Sequence, residues 1–307
     1  MRENSAVSTD VDSPLLRGCT PWPAEVARLY RGEGYWQGKS LDELPREWAQ
    51  RSGDGTALVS GTDRISYAEL DRRVDAMATG LLALGIGTRD RVVVQLPNTA
   101  EFVVLFFALL RCGAIPVLAL PAHRRTEIEH LAELSEAVGY VIPDMSGGFD
   151  YRTLAQQVQA RTPSLRQVLV AGDPGPFTAL ADVPEIADMT VRPQQFPPVD
   201  PAGVAVLLIS GGTTGKPKLI PRTHDDYAYN ARASARVCGL GSDTVYLVCL
   251  PAAHNFPLAC PGILGTLLAG GRVVMLGSPE PARTFATIAA ERVTHTAVVP
   301  AVAGRWL

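Results

Sequence analysis

Charge is scarce in this 307-residue chain. Asp, Glu, Lys and Arg make up 19% of it and the formal net charge is -3, so neither a nucleic-acid nor a membrane partner is expected. Cysteine is scarce too. Cys19, Cys112, Cys238, Cys249 and Cys260 are odd in number, none sits in a CxxC pair, and no His/Cys cluster has zinc spacing. That pattern argues against a disulfide framework and a zinc module, and suits reduced thiols in a cytoplasmic protein. The N-terminus, MRENSAVSTDVDS, has no apolar signal core. The most apolar stretch, Phe102 to Pro121, is broken by Arg111, Gly113 and Pro116, so it reads as a buried helix and then a buried strand, not a membrane span. There is no tandem repeat and no low-complexity segment.

What is present is globular: 47% of residues are hydrophobic. Residues 1–20 read as a disordered lead and 21–60 as an aromatic-rich, extended arm packed on the body. From there strands and helices alternate. Ser66 and Glu69 form a capping box, followed by Tyr67, Leu70, Val74, Met77 and Leu81 at helical spacing, with Gly85 as the stop. DRVVVQLPN reads as a buried strand, Asn98 as the cap of the next helix, and Gly113 as its end. AIPVLALP is a further strand, followed by a helix near 125–138 and a strand at 140–142. The Pro- and Gly-rich stretch 173–202 reads as a connection between a first lobe, 61–190, and a second, 191–307. The second lobe runs strand 204–209, loop, helix 223–238, strand 245–250, loop, helix 261–269, strand 272–276, helix 281–291 and strand 296–299. The expected class is α/β, with mainly parallel sheets flanked by helices.

One loop stands out. SGGTTGKPK, residues 210–218, lies between a predicted strand and a predicted helix. Glycines let backbone amides approach an anion, and the hydroxyls and lysines add donors. The P-loop pattern fails at two places, because Ser210 stands where its first glycine belongs and Pro217 where its magnesium-binding Ser or Thr belongs. A plain surface turn does not call for Ser210, Thr213, Thr214, Lys216 and Lys218 within nine residues. Phosphate binding is the favoured reading.

This loop resembles the signature loop of the adenylate-forming superfamily of acyl- and aryl-CoA synthetases, peptide-synthetase adenylation domains and luciferases. The stretch from ISYAELDRRVDAMATG to LLRCGAIPV resembles the N-terminal core of that superfamily. PWPAEVARLYRGEGYW and LPAAHNFPLACPGILGTLLAGGRVV resemble its aryl-acid branch, which starts siderophore and related peptide assembly lines. The resemblance implies two mainly parallel sheets, with ATP and Mg2+ as cofactors. Ser210, Gly211, Gly212, Thr213, Thr214, Gly215 and Lys218 would bind the phosphates, with Thr214 at the metal.

The second constellation is LPAAHNFPLACPG, Leu250 to Gly262, at the end of a predicted strand, where α/β folds place ligands. Taken alone, His254 and Asn255 read as a pair capping a turn. The resemblance implies instead that Asn255 meets the ortho-hydroxyl and carboxylate of an aryl acid, with His254 beside the carboxylate and the α-phosphate. His254 and Lys218 are the implied catalytic residues. Phe256 reads as a ring wall or as plain core. Cys260 reads as a small core residue, or, by the resemblance, as a ring-facing residue typical of salicylate enzymes where 2,3-dihydroxybenzoate enzymes carry Ser. A buried 3-hydroxyl left unpaired there costs about 1–3 kcal/mol. The His123–His130 patch reads as a solvated helix start. Asp225 and Asp226 read as helix N-terminal charge.

The implied reaction is activation of an ortho-hydroxy aryl acid, salicylate ahead of 2,3-dihydroxybenzoate or 3-hydroxypicolinate. Carboxylate and ATP give an acyl-adenylate and pyrophosphate, and the acyl group passes to the thiol of an aryl carrier protein. The superfamily's Thr-Gly-Asp ribose motif is missing, no lysine follows Lys218, and the chain stops in apolar AVVPAVAGRWL. The expectation is therefore a truncated N-terminal portion without the C-terminal lid domain, with little activity by itself. A non-catalytic ligand-binding or scaffold fragment of the same fold is the alternative.

Overall fold

The computed structural model describes residues 15–186, 196–210 and 217–307. The predicted disordered lead lies outside them up to residue 14. Leu15, Leu16 and Cys19 pack against the body, so that part of the lead is ordered by apolar burial.

The aromatic arm is helical where it was expected to be extended. It holds α1 (Ala24–Gly32) and α2 (Leu44–Ser52). Trp22, Tyr30 and Trp36 pack edge to face, and Tyr35 lies over Tyr229, with centroids 5.0 to 6.1 Å apart. These contacts give α1 a tertiary partner although none of its residues is buried.

Strands β1 (Thr56–Ser60) and β2 (Asp63–Ser66) lead into α3 (Tyr67–Ala83). The chain continues with β3 (Arg91–Val94), α4 (Ala100–Arg111), β4 (Ile115–Leu118), α5 (Arg125–Ser135) and β5 (Gly139–Pro143). A small hairpin, β6 (Met145–Ser146) and β7 (Phe149–Asp150), precedes α6 (Tyr151–Arg161), β8 (Gln167–Ala171), β9 (Thr178–Ala179) and α7 (Val183–Ile186). Then come β10 (Val204–Ile209), β11 (Leu219–Thr223), α8 (His224–Val237), β12 (Val245–Val248), α9 (Asn255–Ala259) and α10 (Gly262–Leu268). The last elements are β13 (Arg272–Met275), α11 (Pro281–Glu291), β14 (His295–Thr296) and α12 (Pro300–Trp306).

Two mainly parallel sheets result, as expected. One has the order β11-β10-β4-β3-β5-β8-β9 and the other β14-β12-β13-β1-β2. Each ends in one antiparallel edge strand, β11 and β2. The sheets do not divide the chain at a single point. β1 and β2 join the later sheet, with Leu58 opposite Val273, while β10 joins the earlier one, with Leu207 opposite Val117. Lobes running 61–190 and 191–307 therefore do not describe the sheets. Parallel partners far apart in sequence leave no local signature, which is why periodicity could not pair them.

The layering follows the apolar pattern. α4 is buried along its whole length apart from Glu101, and with α3 it lies in a core joining both sheets. α5 and α6 cover the outer face of the first sheet, and Ile288 and Trp306 of α11 and α12 that of the second. Arg111 is buried inside this core. Its guanidinium is matched by Asp71 at 2.7 Å, Asp75 at 2.5 Å and the Asp42 carbonyl at 2.8 Å, so the charge is not left unpaired. Among the described residues no helix is long and apolar enough to cross a membrane.

Three local expectations are corrected. Ser66 Oγ accepts the Glu69 amide, but the Glu69 carboxylate turns to Arg72 and Arg73, whose hydrogen bonds lower its pKa to about 2. Asn98 does not cap α4. Its side chain reaches across to the second sheet, donating to the Leu250 and Leu276 carbonyls at 2.8 and 2.9 Å. The stretch 173–202 is not all connection: β9 extends the first sheet, and α7 packs on α3 so closely that a Cβ on Gly80 would lie 1.9 Å from the Val183 carbonyl oxygen. Residues 187–195 lie outside the described ones.

Candidate active site

β10 runs out of the first sheet at Ile209, and the chain returns as β11. The antiparallel pairing of these strands closes the neck of the loop between them. Ser210 N donates to the Lys218 carbonyl at 2.9 Å, and Lys218 N donates to Ser210 Oγ at 3.1 Å. Sequence reading had placed no strand between the loop and α8. Gly211, Gly212, Thr213, Thr214 and Gly215 lie outside the described residues, as does Lys216. The neck is pinned from the side, because the Pro217 carbonyl accepts a 2.9 Å hydrogen bond from His130 Nε2. The patch read as a solvated helix start thus has a structural task at one end. At its other end His123 Nδ1 accepts the Leu120 amide at 3.2 Å, and burial lowers the imidazole pKa.

Between the C-terminal ends of β4 and β10 and the turn after β12 lies a cleft of about 660 Å³. Ser210, His123, Arg222, His254 and Asn255 are among its lining residues. The volume suits a small-molecule site, and the position at strand C-termini is where α/β folds bind ligands. Strand alternation turns Ile220 and Arg222 of β11 into the cleft, while Leu219 and Pro221 line a separate groove. Lys218 lines that second groove, so the structure does not bring it to His254. The cation it does place in the cleft is Arg222, which sequence reading missed. Arg222 is held by Asp226 at 2.6 Å and lies over the Tyr227 ring at 5.0 Å. Nothing in the local sequence RTHDD marks this arginine as a site residue.

The two aspartates after it have distinct jobs. Asp226 completes a capping box with Thr223 at the start of α8. Asp225 accepts the Gly38 amide at 3.0 Å and pairs with Arg31 at 3.3 Å, fastening the arm to α8. Between them and the neck, His224 is buried. Its Nδ1 accepts the Leu41 amide at 3.1 Å, and burial lowers its pKa to about 3.

His254 is the N-cap of α9. Its Nδ1 accepts the Phe256 amide at 3.2 Å, so in the neutral ring Nε2 carries the proton. The capping reading and the ligand reading are therefore compatible: one nitrogen caps the helix, and the other is a donor on a residue lining the cleft. Asn255 follows. Its Nδ2 lies 3.3 Å from Cys260 Sγ, and among the described residues its buried Oδ1 has no hydrogen-bond partner. A buried amide oxygen in that state is costly unless something bound supplies a donor. Cys260 is half-buried, and its sulfur receives a second donor, Asn230 Nδ2, also at 3.3 Å. Phe256 and Cys260 are not among the lining residues of the cleft; they adjoin it through Asn255. The turn that carries Cys260 requires glycine two residues on. At Gly262 φ is +46°, and a Cβ would lie 1.9 Å from the Pro257 carbonyl oxygen.

The donors fit an anion. His254, Ser210 and Arg222, all donor-bearing residues, line one cleft, which suits phosphate or carboxylate oxygens. A metal is not prefigured in the same way. Among the described residues no group of three His, Cys, Asp or Glu side chains is placed to hold one, so the magnesium expectation rests on Thr214, outside them. All five cysteines carry free thiols in this structure.

The double-sheet fold and a cleft beside a glycine-rich loop define a class of nucleotide-activating enzymes. The chain belongs to the AMP-binding enzyme family, whose pattern matches residues 45–307. It is 50% identical over 293 residues to the 2,3-dihydroxybenzoate-AMP ligase of Bacillus subtilis, covering 95% of this chain and 53% of that protein. It is 51% identical over 296 residues to the salicyl-AMP ligase / salicyl-S-ArCP synthetase of Mycobacterium tuberculosis, covering 95% and 52%. The apo structure of Mycobacterium smegmatis MbtA superposes with a TM-score of 0.89 at 50% identity, over 94% of this chain and 53% of that one. The chain spans about half the length of the curated relatives it matches.

Proposed function

We propose that this chain forms the phosphate and aryl-acid face of a ligase that activates an ortho-hydroxy aryl acid, salicylate in preference to 2,3-dihydroxybenzoate. The carboxylate oxygen of the acid attacks the α-phosphorus of ATP. The bond to the bridging oxygen breaks, pyrophosphate leaves, and the aryl-adenylate remains. The acyl group then passes to the thiol of an aryl carrier protein.

The nucleophile belongs to the substrate, so the protein orients groups and stabilises charge. His254 Nε2–H donates to the carboxylate and α-phosphate oxygens as they meet. Ser210 and the loop after it hold the β- and γ-phosphates, and Arg222 adds positive charge on the same cleft. Mg2+, bound at the loop, would offset charge on the leaving pyrophosphate. Asn255 Oδ1 accepts the ortho-hydroxyl, which supplies the hydrogen-bond donor this buried oxygen lacks.

The observation that carries the reading is the His254–Asn255–Cys260 turn, where one imidazole nitrogen caps α9 and leaves the other to donate, and where one buried amide oxygen has no partner among the described residues. Two relatives of nearly equal identity are named for different acids, so identity does not choose between them. Cys260 supports salicylate, because a sulfur already facing two N–H donors gives a 3-hydroxyl no acceptor. The test is mass spectrometry of the intact protein incubated with ATP, Mg2+ and each acid. Salicyl-adenylate should form first and most. Absence of adenylate with every ortho-hydroxy aryl acid contradicts the reading.

A further inference from the structure

Cys260 is held from a helix that carries none of the expected pocket residues. Asn230 lies on α8, and its Nδ2 donates to the Ala259 carbonyl at 2.8 Å and to Cys260 Sγ at 3.3 Å. The carbonyl settles which way the amide points, since only the nitrogen of a carboxamide can satisfy a carbonyl oxygen. An N–H therefore faces the sulfur, and the sulfur accepts. Asn255 Nδ2 supplies the second donor at the same distance.

We propose that Asn230 is a positioning residue that sets acid selectivity by occupying the Cys260 sulfur and fixing the turn that carries it. The inference rests on the aryl-acid reading above. A thiol sulfur is a weak acceptor, and here its lone pairs already face two amide donors. Its remaining S–H is a weak donor. A ring C–H beside it loses nothing, whereas a ring hydroxyl beside it finds no acceptor for its proton and goes unpaired. Asn230 thus turns a residue that could bind a hydroxyl weakly into an apolar wall. The bond to Ala259 adds a geometric constraint: the backbone that carries Cys260 is tied to α8, which opposes a shift of the turn to admit a larger ring substituent.

The test uses the intact protein and calorimetric Kd values for salicylate and 2,3-dihydroxybenzoate. The variants are Asn230→Ala, Asn230→Asp, Cys260→Ser and the double variant Asn230→Ala with Cys260→Ser. Thermal unfolding confirms that each is folded. If Asn230→Ala does not fold, the Asp variant, which keeps the shape but offers no N–H, decides. Loss of the N–H should narrow the preference for salicylate by about fivefold, the worth of one ordinary hydrogen bond. Because the effect runs through the sulfur, Asn230→Ala should barely move the preference once Cys260 is Ser. A merely structural role would weaken both acids equally and leave their ratio alone. If the acids bind but the ratio is unmoved, or moves as much in the Cys260→Ser background, the positioning role is overturned and the aryl-acid reading stands. A native protein that binds neither acid overturns both, and one that prefers 2,3-dihydroxybenzoate overturns the positioning role.

Discussion

Asn98 Oδ1 accepts the amide of Ala252 at 2.7 Å, joining the loop after β3 in one sheet to the loop after β12 in the other. The Asn98 amide nitrogen also donates to Leu250 and Leu276, so one buried side chain holds three points of the second sheet at the edge of the turn that carries His254. His254 begins two residues after Ala252. The position of the turn relative to the first sheet, and hence the width of the cleft, depends on this staple.

Asn98→Ala should therefore destabilise the fold by about 2–4 kcal/mol, because it strands buried backbone groups as well as losing the bonds. Urea unfolding measures it. A change below about 0.5 kcal/mol, the range of ordinary surface substitutions, would mean that the staple contributes nothing.

His224 makes stability fall in acid. Its pKa is lowered from 6.5 to about 3 by burial, so the unfolded chain binds a proton more readily than the folded one between those values. The neutral imidazole's contribution is whole above pH 6.5 and is lost progressively as pH falls toward 3. His224→Asn keeps an acceptor for the Leu41 amide and removes the titration. The slope of unfolding free energy against pH in that window should flatten by up to one proton. An unchanged slope would place the acid sensitivity elsewhere.

The two nitrogens of His254 can be separated by substitution. Ser is a good N-cap, so His254→Ser should keep thermal stability near native while adenylate formation falls by about 100-fold, as for loss of one oxyanion donor. His254→Ala should lose the same activity and about 1 kcal/mol of stability as well. If His254→Ser stays active, Nε2 is not the donor.

Gly262→Ala should disturb the site without touching any polar group. The added methyl would overlap the Pro257 carbonyl, so α9 and α10 must shift apart and take Cys260 with them. Stability should drop by about 2 kcal/mol or more, and aryl-acid affinity should fall with it. Native affinity in a folded variant would show that the turn has slack.

Much of this was legible in the sequence. The run Phe102–Arg111 announced a helix buried all round, and the alternation of strands and helices announced parallel sheets. The loop stands out because its hydroxyls and lysines are costly in a plain turn, whereas the His254–Asn255–Cys260 turn is singled out by its place after a strand and by the family resemblance. What stayed hidden depends on long-range pairing. Nothing near Leu58 says that it will lie beside Val273, nothing near Asn98 says that it will reach Leu276, and Asn230 sits in a helix where asparagine looks unremarkable. Lys218 illustrates the same limit: it closes the neck of the expected loop, and it is the strand pairing that sets it on the other groove.

ATP–pyrophosphate exchange on the intact protein, across salicylate, 2,3-dihydroxybenzoate, 3-hydroxypicolinate and unsubstituted benzoate, is the decisive measurement. Exchange should be fastest with salicylate. It should be slower by about 10- to 100-fold with 2,3-dihydroxybenzoate, whose second hydroxyl goes unpaired beside Cys260, and weak with benzoate, which offers Asn255 no hydroxyl. Exchange that is indifferent to the ortho-hydroxyl, or that favours 2,3-dihydroxybenzoate, would contradict the assignment of the Asn255–Cys260 turn as the acid-selecting site.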